Sequence, residues 1–511
     1  MLRKSQTAVP SQPDREDRPL IYLLCALAAM RVFIYAAAFP LFNNVDEDAH
    51  FDLVMKYSQG HVLRGLNPMS PQSARLIARY ATPEYTLKPE QCPGGRLPSP
   101  RWTQPAEKVA DAMNHDTAVL ESRVNHEDCQ PPLYYVVAAI WMHAGQVLFS
   151  RGGLLIHWIR FLNVFLAAGM VWVAYVAASS LFPDNRFVRL GVPLLVALIP
   201  QAAFYGIQND VLSPLCFGLV FVHMLRLLRV EVPSVRRAIF TGLALAATCL
   251  VKSSNLPLLA VAVATLALKA RRLARKRLLP VAVVPLGLCL LCACVPVILW
   301  FGWNLSNYGD LTGDTAKIQI LGWTHKPVVD WLRHPIFTPR GALTFWSELM
   351  ASFWRGEFIW SGKLLALPSA DAFYWVSSTL FVGLAAVSLV SKSGRTDKLQ
   401  TRMLWFGFWG FAAQVIFLGL LSVTFDFGKC VNPSQQHPFF TSGRLLCGSE
   451  IPFALLYVYG LDWALIRVKS ERLRFPLLIA IVLFMTISET VVNQVAFSSE
   501  FNWFHMLRGA S

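Results

Sequence analysis

Apolar runs recur along almost the whole chain, and most of them are long enough to cross a lipid bilayer. A transmembrane helix needs roughly 20 mostly apolar residues, and only helices or closed barrels satisfy their backbone groups in lipid. The pattern predicts an all-α polytopic membrane protein with about eleven spans. The predicted spans are residues 20–42, 160–182, 189–207, 211–228, 238–252, 255–269, 278–302, 372–391, 403–424, 449–466 and 475–496.

Basic residues collect in short loops between these spans. The positive-inside rule places such loops, together with the basic N-terminus, in the cytoplasm. With eleven spans every basic loop falls inside and the C-terminus falls outside. The loops contain Arg186 and Arg189; Arg226, Arg229, Arg236 and Arg237; Lys269, Arg271, Arg272, Arg275, Lys276 and Arg277; Lys392, Arg395, Lys398 and Arg402; and Arg467, Lys469, Arg472 and Arg474.

One further apolar run, residues 133–149, would break this parity if it crossed the membrane. We therefore interpret it as a re-entrant or juxtamembrane helix on the outer side. The predicted organisation is a cytoplasmic tail over residues 1–19, a membrane module over 20–466, and a last cytoplasmic loop, final span and outer tail over 467–511. Within the module, three polar regions face outward: 43–132, 303–371 and 425–448.

An aromatic stripe lies in the second of these outer regions. Trp346, Met350, Trp354 and Phe358 follow one another at intervals of four residues. Large apolar and aromatic side chains on one helical face are typical of a helix in the membrane interface. The stripe predicts such an interfacial helix within residues 341–362; a buried loop helix is the alternative.

Composition agrees with a membrane protein. The 511 residues are 55% hydrophobic and 15% charged, against about 25% charged in soluble domains, and the mean hydropathy is +0.44. The net charge of +15 would suggest nucleic acid in a soluble protein. Here cytoplasmic loops explain it, so no nucleic-acid partner is predicted. The first apolar run lacks a small-residue cleavage site and is interpreted as an uncleaved span.

The cysteines divide between spans and outer loops. Six of the ten lie in apolar runs, whereas Cys92 and Cys129 share the first outer loop, and Cys430 and Cys447 share the last. Pairing within each loop would suit an oxidising compartment. The alternative is four unpaired thiols.

Polar residues mark the predicted outer ends of several separate spans, so folding would bring them to one face. Asp-Glu-Asp-Ala-His-Phe at 46–51 follows the first span, Asn209 and Asp210 lie at one outer turn, Lys252 lies at the next, and Arg444 precedes a late span. Ionisable groups near lipid are costly and usually functional. By contrast, the span centres contain almost no acids, since Glu450, Asp462 and Glu489 lie near predicted ends.

These residue types fit the transfer of a group from a lipid phosphate. A carboxylate such as Asp46 can accept the proton of an attacking hydroxyl, and Lys252 and Arg444 can bind a leaving phosphate. Simpler interpretations stay open. Asp46 can begin a solvated loop, and Asp210 can cap a turn. Lys252 can snorkel to the interface, and Arg444 can pair with loop acids or lipid.

The order of these residues resembles the C-type glycosyltransferase (GT-C) superfamily. The nearest similarity is to family 39-type polyprenyl-phosphate-sugar transferases and to a related family of bacterial membrane proteins of unknown function. It extends over about residues 20–466. Its motifs are Asp-Glu-Asp-Ala-His-Phe at 46–51, Gln-Pro-Pro-Leu-Tyr-Tyr at 130–135, Arg-Phe-Leu-Asn at 160–163, Asn-Asp at 209–210, Gly-Leu-Ala at 242–244 leading to Lys252, and Gly-Arg at 443–444.

The resemblance implies a GT-C-like bundle with outer juxtamembrane helices and a long first outer loop. Asp46 would be the catalytic base, with Glu47 beside it and Asp210 as a second acid. The residues implied in substrate or phosphate binding are His50, Lys252, Arg444, Asn209 and Tyr134. For His50, support of an acid is favoured over metal ligation.

The implied reaction moves a sugar, with inversion, from a polyprenyl-phosphate carrier to an unidentified envelope glycan, lipid or protein. It would take place on the outer face of a bacterial plasma membrane. Family 39 enzymes often carry His or Glu before Pro-Pro, where this chain has Gln130, so no bound metal is predicted there. A divalent cation is the one cofactor left open.

Two other classes of function compete with an enzyme. A transporter or lipid-sugar flippase would use ionisable groups near the bilayer midplane, which the predicted spans almost lack. A non-catalytic envelope-assembly protein would keep the fold and tolerate replacement of Asp46, because fold alone does not establish function.

Overall fold

The computed structural model describes residues 16–148, 152–391, 396–430 and 432–509. Most of the predicted cytoplasmic tail, and Lys392 and Arg395 of one basic loop, lie outside these residues. The described chain is mainly helical, with two short pairs of strands, and the prediction of an all-α polytopic membrane protein is confirmed. Nine helical segments of the described residues have the length and composition to cross a membrane: Arg18–Ala38, Gly153–Leu181, Asn209–Arg229, Ser253–Arg275, Leu279–Tyr308, Pro368–Val390, Lys398–Thr424, Gly443–Arg467 and Glu471–Leu507.

The α-helices are numbered in chain order. They are α1 (Arg18–Ala38), α2 (Glu47–Ser58), α3 (Pro71–Tyr80), α4 (Ala106–Ser122), α5 (Leu133–Leu148), α6 (Gly153–Arg160), α7 (Leu162–Leu181), α8 (Arg186–Ala197), α9 (Ser213–Arg229), α10 (Val235–Val251), α11 (Leu256–Arg275), α12 (Leu279–Tyr308), α13 (Asp314–Ile320), α14 (Val328–Trp331), α15 (Pro339–Arg355), α16 (Pro368–Val390), α17 (Lys398–Thr424), α18 (Glu450–Arg467), α19 (Arg474–Ser498) and α20 (Trp503–Gly509). Two short antiparallel pairs join β1 (Thr324–His325) to β4 (Phe425–Asp426) and β2 (Ile359–Trp360) to β3 (Lys363–Leu364).

Two of the predicted spans are shorter helices in the structure. α10 has 17 residues and α8 has 12. The prediction that one span continues to residue 207 is wrong, because α8 ends at Ala197. Pro200 follows closely, and a proline disfavours helical conformation in the residue before it. Short 3₁₀ turns at Ala202–Tyr205 and Asn209–Leu212 then lead into α9.

The predicted cytoplasmic loops meet at one end of the bundle. Arg189 Nε lies 2.7 Å from Asp17 Oδ2, joining the start of α8 to the start of α1. Gln400 Nε2 donates to Leu181 O at 2.9 Å, joining the start of α17 to the end of α7. We call the opposite end of the bundle the outer end, in keeping with the predicted orientation.

The apolar run at 133–149 forms α5, which has 16 residues. This is shorter than the roughly 20 residues that a span needs. α5 packs against α2 and α6, and the ring of Trp141 stacks on that of Trp158 with centroids 4.4 Å apart. The assignment of this run to a re-entrant or juxtamembrane helix stays a prediction.

The aromatic stripe does not face the membrane surface, so the interfacial prediction for it is wrong. Trp354 and Met350 are fully buried. Trp354 stacks on Tyr374 of α16 at 5.4 Å and donates from Nε1 to Ser378 Oγ at 2.8 Å. Phe358 is buried beyond the end of α15. The stripe belongs to a buried loop helix, which is the alternative interpretation.

The predicted disulfides, Cys92–Cys129 and Cys430–Cys447, are also wrong for this structure, in which all ten cysteines are free. Cys129 is buried, and its thiol donates to His126 O. Cys92 lies in a more open turn, where its thiol donates to Lys88 O. Cys447 is buried in the turn that leads into α18, whereas Cys430 lies in a half-buried loop. Each pair is thus divided between a buried and a more accessible place.

One ion pair contradicts the expectation that acids avoid span interiors. Glu489 lies nine residues before the end of α19, about 13 Å along a helix. Its two oxygens lie 2.9 and 3.0 Å from Arg31 Nη1. The hydroxyl of Tyr205 donates to the same carboxylate, and Arg31 Nη2 donates to Ile199 O at 2.6 Å.

Candidate functional site

The break between α1 and α2 positions the first candidate residue. α1 ends at Ala38, and α2 begins at Glu47 with Asp46 as its N-cap. Asp46 has φ of 61°, a left-handed conformation that non-glycine residues adopt rarely, although Asp is among the more tolerant types. Nearby, Asn44 forms an isolated bridge with Phe358. This bridge joins the turn to the loop that follows α15.

Glu47 holds this turn in place. Its carboxylate accepts from Arg160 Nε at 2.6 Å and from Arg160 Nη2 at 2.7 Å. The backbone N–H groups of Phe42 and Ile207 donate to it at 3.1 and 3.0 Å, and the side chains of Glu47 and Arg160 are fully buried. Arg160 also donates to the carbonyls of residues 36, 39 and 40. The prediction of Glu47 as a catalytic acid is therefore corrected, because its carboxylate is committed to the fold.

Asp46 faces the outer end and binds Arg444. Arg444 Nη2 donates to Asp46 Oδ2 at 2.5 Å, and Nη1 donates to Val45 O at 3.2 Å. The same guanidinium lies 3.7 Å from Glu357 Oε2, which also accepts from Ser442 Oγ at 3.0 Å. The side chains of Asp46 and Glu357 are each about a quarter exposed. Arg444 therefore joins two carboxylates that solutes can reach.

A second group of charges lies on the other side of Asp46. His126 Nε2 lies 3.4 Å from Asp46 Oδ1 and 3.3 Å from Glu127 Oε1. Lys317, from α13 in the second outer region, approaches Glu127 Oε1 to 2.6 Å. The segments that contain Asp46, His126 with Glu127, and Lys317 thus meet, although they are distant in sequence.

The neighbours of Asp46 and His126 determine the charges of these two side chains at neutral pH. Burial by itself raises the pKa of Asp46, but Arg444 and His126 outweigh it and hold that pKa well below its usual range. Burial lowers the pKa of His126, yet its bonds to Asp46 and Glu127 raise it to about 9. Burial raises the pKa of Glu357 in spite of Arg444. Asp46 is thus ionised and His126 protonated.

A further ion pair lies next to these groups. Lys252, at the end of α10, places Nζ 2.7 Å from both oxygens of Asp210. Burial lowers the pKa of Lys252; Asp210 opposes this shift, and the charge of Arg444 adds to it. Asn209 donates from Nδ2 to Gln130 Oε1 and to Val251 O, each at 3.2 Å. Asn209 therefore ties the turn before α9 to the end of α10.

Two predicted substrate-binding residues lie in the core. His50 is buried, and its Nδ1 lies 2.7 Å from the hydroxyl of Tyr135. Burial lowers the pKa of His50 to about 4, so it carries no charge for a phosphate. Tyr134 is fully buried, and its ring packs edge-on against Tyr135. Their assignment to direct binding is corrected to support of α2, because neither presents a polar group to solvent.

One set of donors suits a metal ion. Ligand atoms of Asp46, His126 and Glu127 all lie within 4.8 Å of one another. Carboxylate oxygens with an imidazole nitrogen suit divalent transition metals. Arg444 and Lys317 already contact two of these three groups, so an ion would compete with them for the carboxylates. Gln130, which was not predicted to bind a metal, accepts a hydrogen bond from Asn209.

Four members of this site are not among the predicted site residues: His126, Glu127, Lys317 and Glu357. They lie outside the motifs that resemble the C-type glycosyltransferases, and they are far from Asp46 in sequence. One signal was present, because Glu127 and His126 lie just before the Pro-Pro motif that the resemblance singles out. Lys317 and Glu357 carry no comparable signal, since only folding of the second outer region brings them to Asp46.

The assembled site contains both acids and cations at the outer end of the bundle. Asp46, Glu127, Glu357 and Asp210 are its carboxylates, and Arg444, His126, Lys317 and Lys252 are its cationic groups. Cations held by carboxylates in a partly closed site can exchange these partners for an anionic ligand such as a phosphate. A carboxylate released in this way can accept a proton.

Comparison with known proteins gives a family and similarity to solved structures. The profile of a family described as "Predicted membrane protein (DUF2142)" matches residues 30–430. No curated protein matches the chain. The apo crystal structure of the Archaeoglobus fulgidus oligosaccharyltransferase is similar over 93% of this chain and 55% of its own, with 10% identity and a TM-score of 0.36.

The chain thus spans about half the length of that structural neighbour. The reaction is inferred from the chemistry of the site.

Proposed function

We propose, from the premise that the chain belongs to the DUF2142 family of predicted membrane proteins, that it is a membrane glycosyltransferase. It would transfer a sugar from a polyprenyl-phosphate carrier to an acceptor hydroxyl on the outer face of a bacterial plasma membrane. The observation that carries the proposal is the position of Arg444, which joins the accessible carboxylates of Asp46 and Glu357 beside the Lys252–Asp210 pair.

The carrier would bind through its phosphate. Arg444 can contact phosphate oxygens bidentately, and Lys252 can add a point charge. Both lie where membrane helices end, Lys252 after α10 and Arg444 before α18. A lipid phosphate fits this height, because its chain can stay among the helices while its sugar reaches the outer loops.

Asp46 would be the base. The acceptor hydroxyl gives its proton to the Asp46 carboxylate while its oxygen bonds to the anomeric carbon. The bond from that carbon to the phosphate oxygen breaks, and its electron pair leaves with the carrier phosphate. Attack opposite the leaving group inverts the anomeric centre. When Arg444 turns to the phosphate, Asp46 loses the partner that holds its pKa low and becomes a stronger base.

His126 and Glu357 have supporting roles in this proposal. Protonated His126 contacts Asp46 and keeps the carboxylate oriented toward the acceptor. Glu357 holds the other side of Arg444 and is the second carboxylate that an acceptor can reach. The acceptor is an envelope glycan, lipid or protein.

The test is sugar transfer by the purified chain in lipid discs, using a panel of labelled polyprenyl-phosphate sugars. General-base catalysis contributes about 10²- to 10⁴-fold, so Asp46→Asn should lower turnover by at least about a hundredfold while carrier binding is kept. Released carrier phosphate should be measured as well, because hydrolysis reports activity when the acceptor is missing. Glu348→Gln is the matched control, since Glu348 is a half-exposed outer carboxylate paired with His437.

Each outcome separates the hypotheses. Equal turnover of Asp46→Asn and wild type would remove Asp46 as the base, and loss in Glu357→Gln alone would transfer the role to Glu357. Carrier binding without turnover across the whole panel would contradict the enzyme and favour a non-catalytic assembly role or a flippase.

A flippase is the second candidate because of one observation. Arg31 and Glu489 form a buried ion pair inside two spans, and such groups often mark a transport pathway. The expected result under this candidate is carrier movement between leaflets that Glu489→Gln abolishes and Asp46→Asn preserves. Translocation should be measured with a fluorescent carrier in vesicles; its absence in wild type would exclude this function.

A further inference from the structure

We propose that residues 326–337 form a membrane anchor, which inserts apolar side chains into the outer leaflet beside α17. We call this stretch the 326–337 segment. It lies in the second outer region, and it is separate from the aromatic stripe of α15. The proposal does not depend on the proposed function, because it concerns contact with lipid and not catalysis.

The first observation is a cluster of apolar side chains without cover. Val328 is 71% exposed, Val329 72%, Leu332 82% and Phe337 60%. They lie on α14 and in the next few residues. Single exposed apolar residues are common, but a contiguous apolar patch marks a membrane or protein contact.

The second observation is that the other side of the segment contacts the rest of the protein. His334 is buried, with Nε2 donating to Pro438 O at 3.1 Å and Nδ1 accepting from Ile336 N at 3.1 Å. The side chain of Ile336 packs against Gly419 of α17. The buried side of the segment is therefore packed on the protein, and its exposed apolar side chains point away from it.

The third observation is the depth of the segment along α17. β1 and β4 pair Thr324 with Asp426 and His325 with Phe425, and Lys326 N donates to Thr424 O at 2.8 Å. The chain then runs back alongside the helix, so that Ile336 reaches Gly419. Gly419 lies five residues before the end of α17, about 8 Å below its outer end.

At this depth α17 itself has an uncovered apolar surface. Ile416 and Leu420 are both more than half exposed, on a helix whose length and composition suit a span. The uncovered residues of the 326–337 segment therefore lie at the level of an apolar surface that the bilayer covers. We therefore expect lipid to cover the segment, because acyl chains that reach Leu420 also reach these residues.

Charge around the patch favours the headgroup region. Lys326, Arg333 and Arg340 flank the apolar residues, and Arg333 is highly exposed with Asp330 as its partner at 3.1 Å. Apolar residues with basic neighbours are typical of segments that lie in the interface and attract anionic lipids. An anchor here would also steady the loop from which α13 extends Lys317 to Glu127.

The test compares labelling from the lipid with labelling from water. The chain in vesicles of zwitterionic and anionic phospholipid is exposed to a phospholipid whose acyl chain carries a photoreactive carbene precursor. A parallel sample is oxidised by hydroxyl radicals, and both are analysed by peptide mass spectrometry. The extent of carbene labelling of the 326–337 segment should be within about twofold of that of the α17 peptide that contains Ile416 and Leu420. Val62 and Val119, which are exposed in the first outer loop, should be oxidised and not take the carbene.

A variant keeps the test decisive. Leu332→Glu changes the most exposed side chain of the segment and should lower carbene labelling several-fold, whereas Leu332→Phe should keep it; the thermal midpoint checks folding of both. Oxidation of the wild-type segment to the extent of Val62 would overturn the proposal. Protection from both reagents, with crosslinks to a second copy or to another protein, would overturn it in favour of a protein contact.

Discussion

Arg444 and Asp46 lie 398 residues apart in the chain, yet Arg444 Nη2 donates to Asp46 Oδ2 at 2.5 Å. This pair joins the turn between α1 and α2 to the turn before α18. Because Arg444 also lies 3.7 Å from Glu357 Oε2, one guanidinium joins three segments at the outer end of the bundle. A ligand that binds Arg444 must change the environment of Asp46, so under the proposed function carrier binding and the basicity of Asp46 should be linked.

Arg444→Lys tests this link. Lysine keeps the charge but cannot bond to Asp46, to Val45 O and toward Glu357 in one planar group. Hydrogen bonds to charged groups contribute about 1.5–3 kcal/mol, so carrier affinity should fall roughly 10- to 150-fold. Arg444→Gln should weaken binding further. Affinity is measured with a labelled carrier in lipid discs, with the thermal midpoint as a control for folding; unchanged affinity would place the phosphate elsewhere.

The pair of Glu47 and Arg160 should contribute to stability. Both side chains are fully buried, and removing one partner of a buried ion pair costs about 3–5 kcal/mol, because the other charge is left without a partner. Glu47→Gln and Arg160→Met should each lower the free energy of unfolding by this amount, and the double variant by less than the sum. The measurement is reversible unfolding in mixed micelles.

A surface ion pair provides the control for the Glu47 and Arg160 variants. Arg101 and Asp116 are 2.6 Å apart but substantially exposed, and such pairs contribute only about 0–1 kcal/mol. Asp116→Asn should therefore have little effect. Equal losses for Asp116→Asn and Glu47→Gln would contradict a structural role for Glu47.

The spans were predictable from sequence because lipid imposes one strong constraint, the length of an apolar helix. Nine segments of the described residues have that length, whereas α8 and α10, which lie at the other two predicted spans, are shorter. The end of α8 was mispredicted because its apolar pattern continues past Ala197 although the helix does not. Hydropathy cannot separate a helix from a buried 3₁₀ turn, since both are apolar.

The site was only partly predictable. Asp46, Asp210, Lys252 and Arg444 each lie at a span end, so topology alone brings them to one face. His126, Lys317 and Glu357 come from outer loops, whose positions depend on tertiary contacts such as the β1–β4 pair. The sequence also could not show that Glu47, unlike Asp46, is bonded within the core. Its partner Arg160 lies 113 residues away in the chain.

His126 should make stability depend on pH in a defined direction. Its pKa in the folded chain is raised to about 9 from an ordinary value of 6.5. A raised pKa means that the charged imidazolium stabilises the fold fully below about pH 6.5, and that this contribution is lost as pH rises through 9. The thermal midpoint of wild type minus that of His126→Gln should therefore shrink between pH 6.5 and pH 10. A difference that stays constant, or grows with pH, would contradict the raised pKa.

Lys317 should compete with divalent cations for Glu127. The ligand atoms of Asp46, His126 and Glu127 lie within 4.8 Å of one another, but Lys317 Nζ is 2.6 Å from Glu127 Oε1. Lys317→Ala removes that cation, so Mn²⁺ should bind more tightly than to wild type, whereas Lys317→Arg should not differ from it. Because imidazole must be neutral to ligate, the affinity should also rise with pH. Titration followed by electron paramagnetic resonance measures free Mn²⁺ directly. Equal affinity in Lys317→Ala and wild type, or binding that survives Glu127→Gln, would show that these three residues are not the ligands.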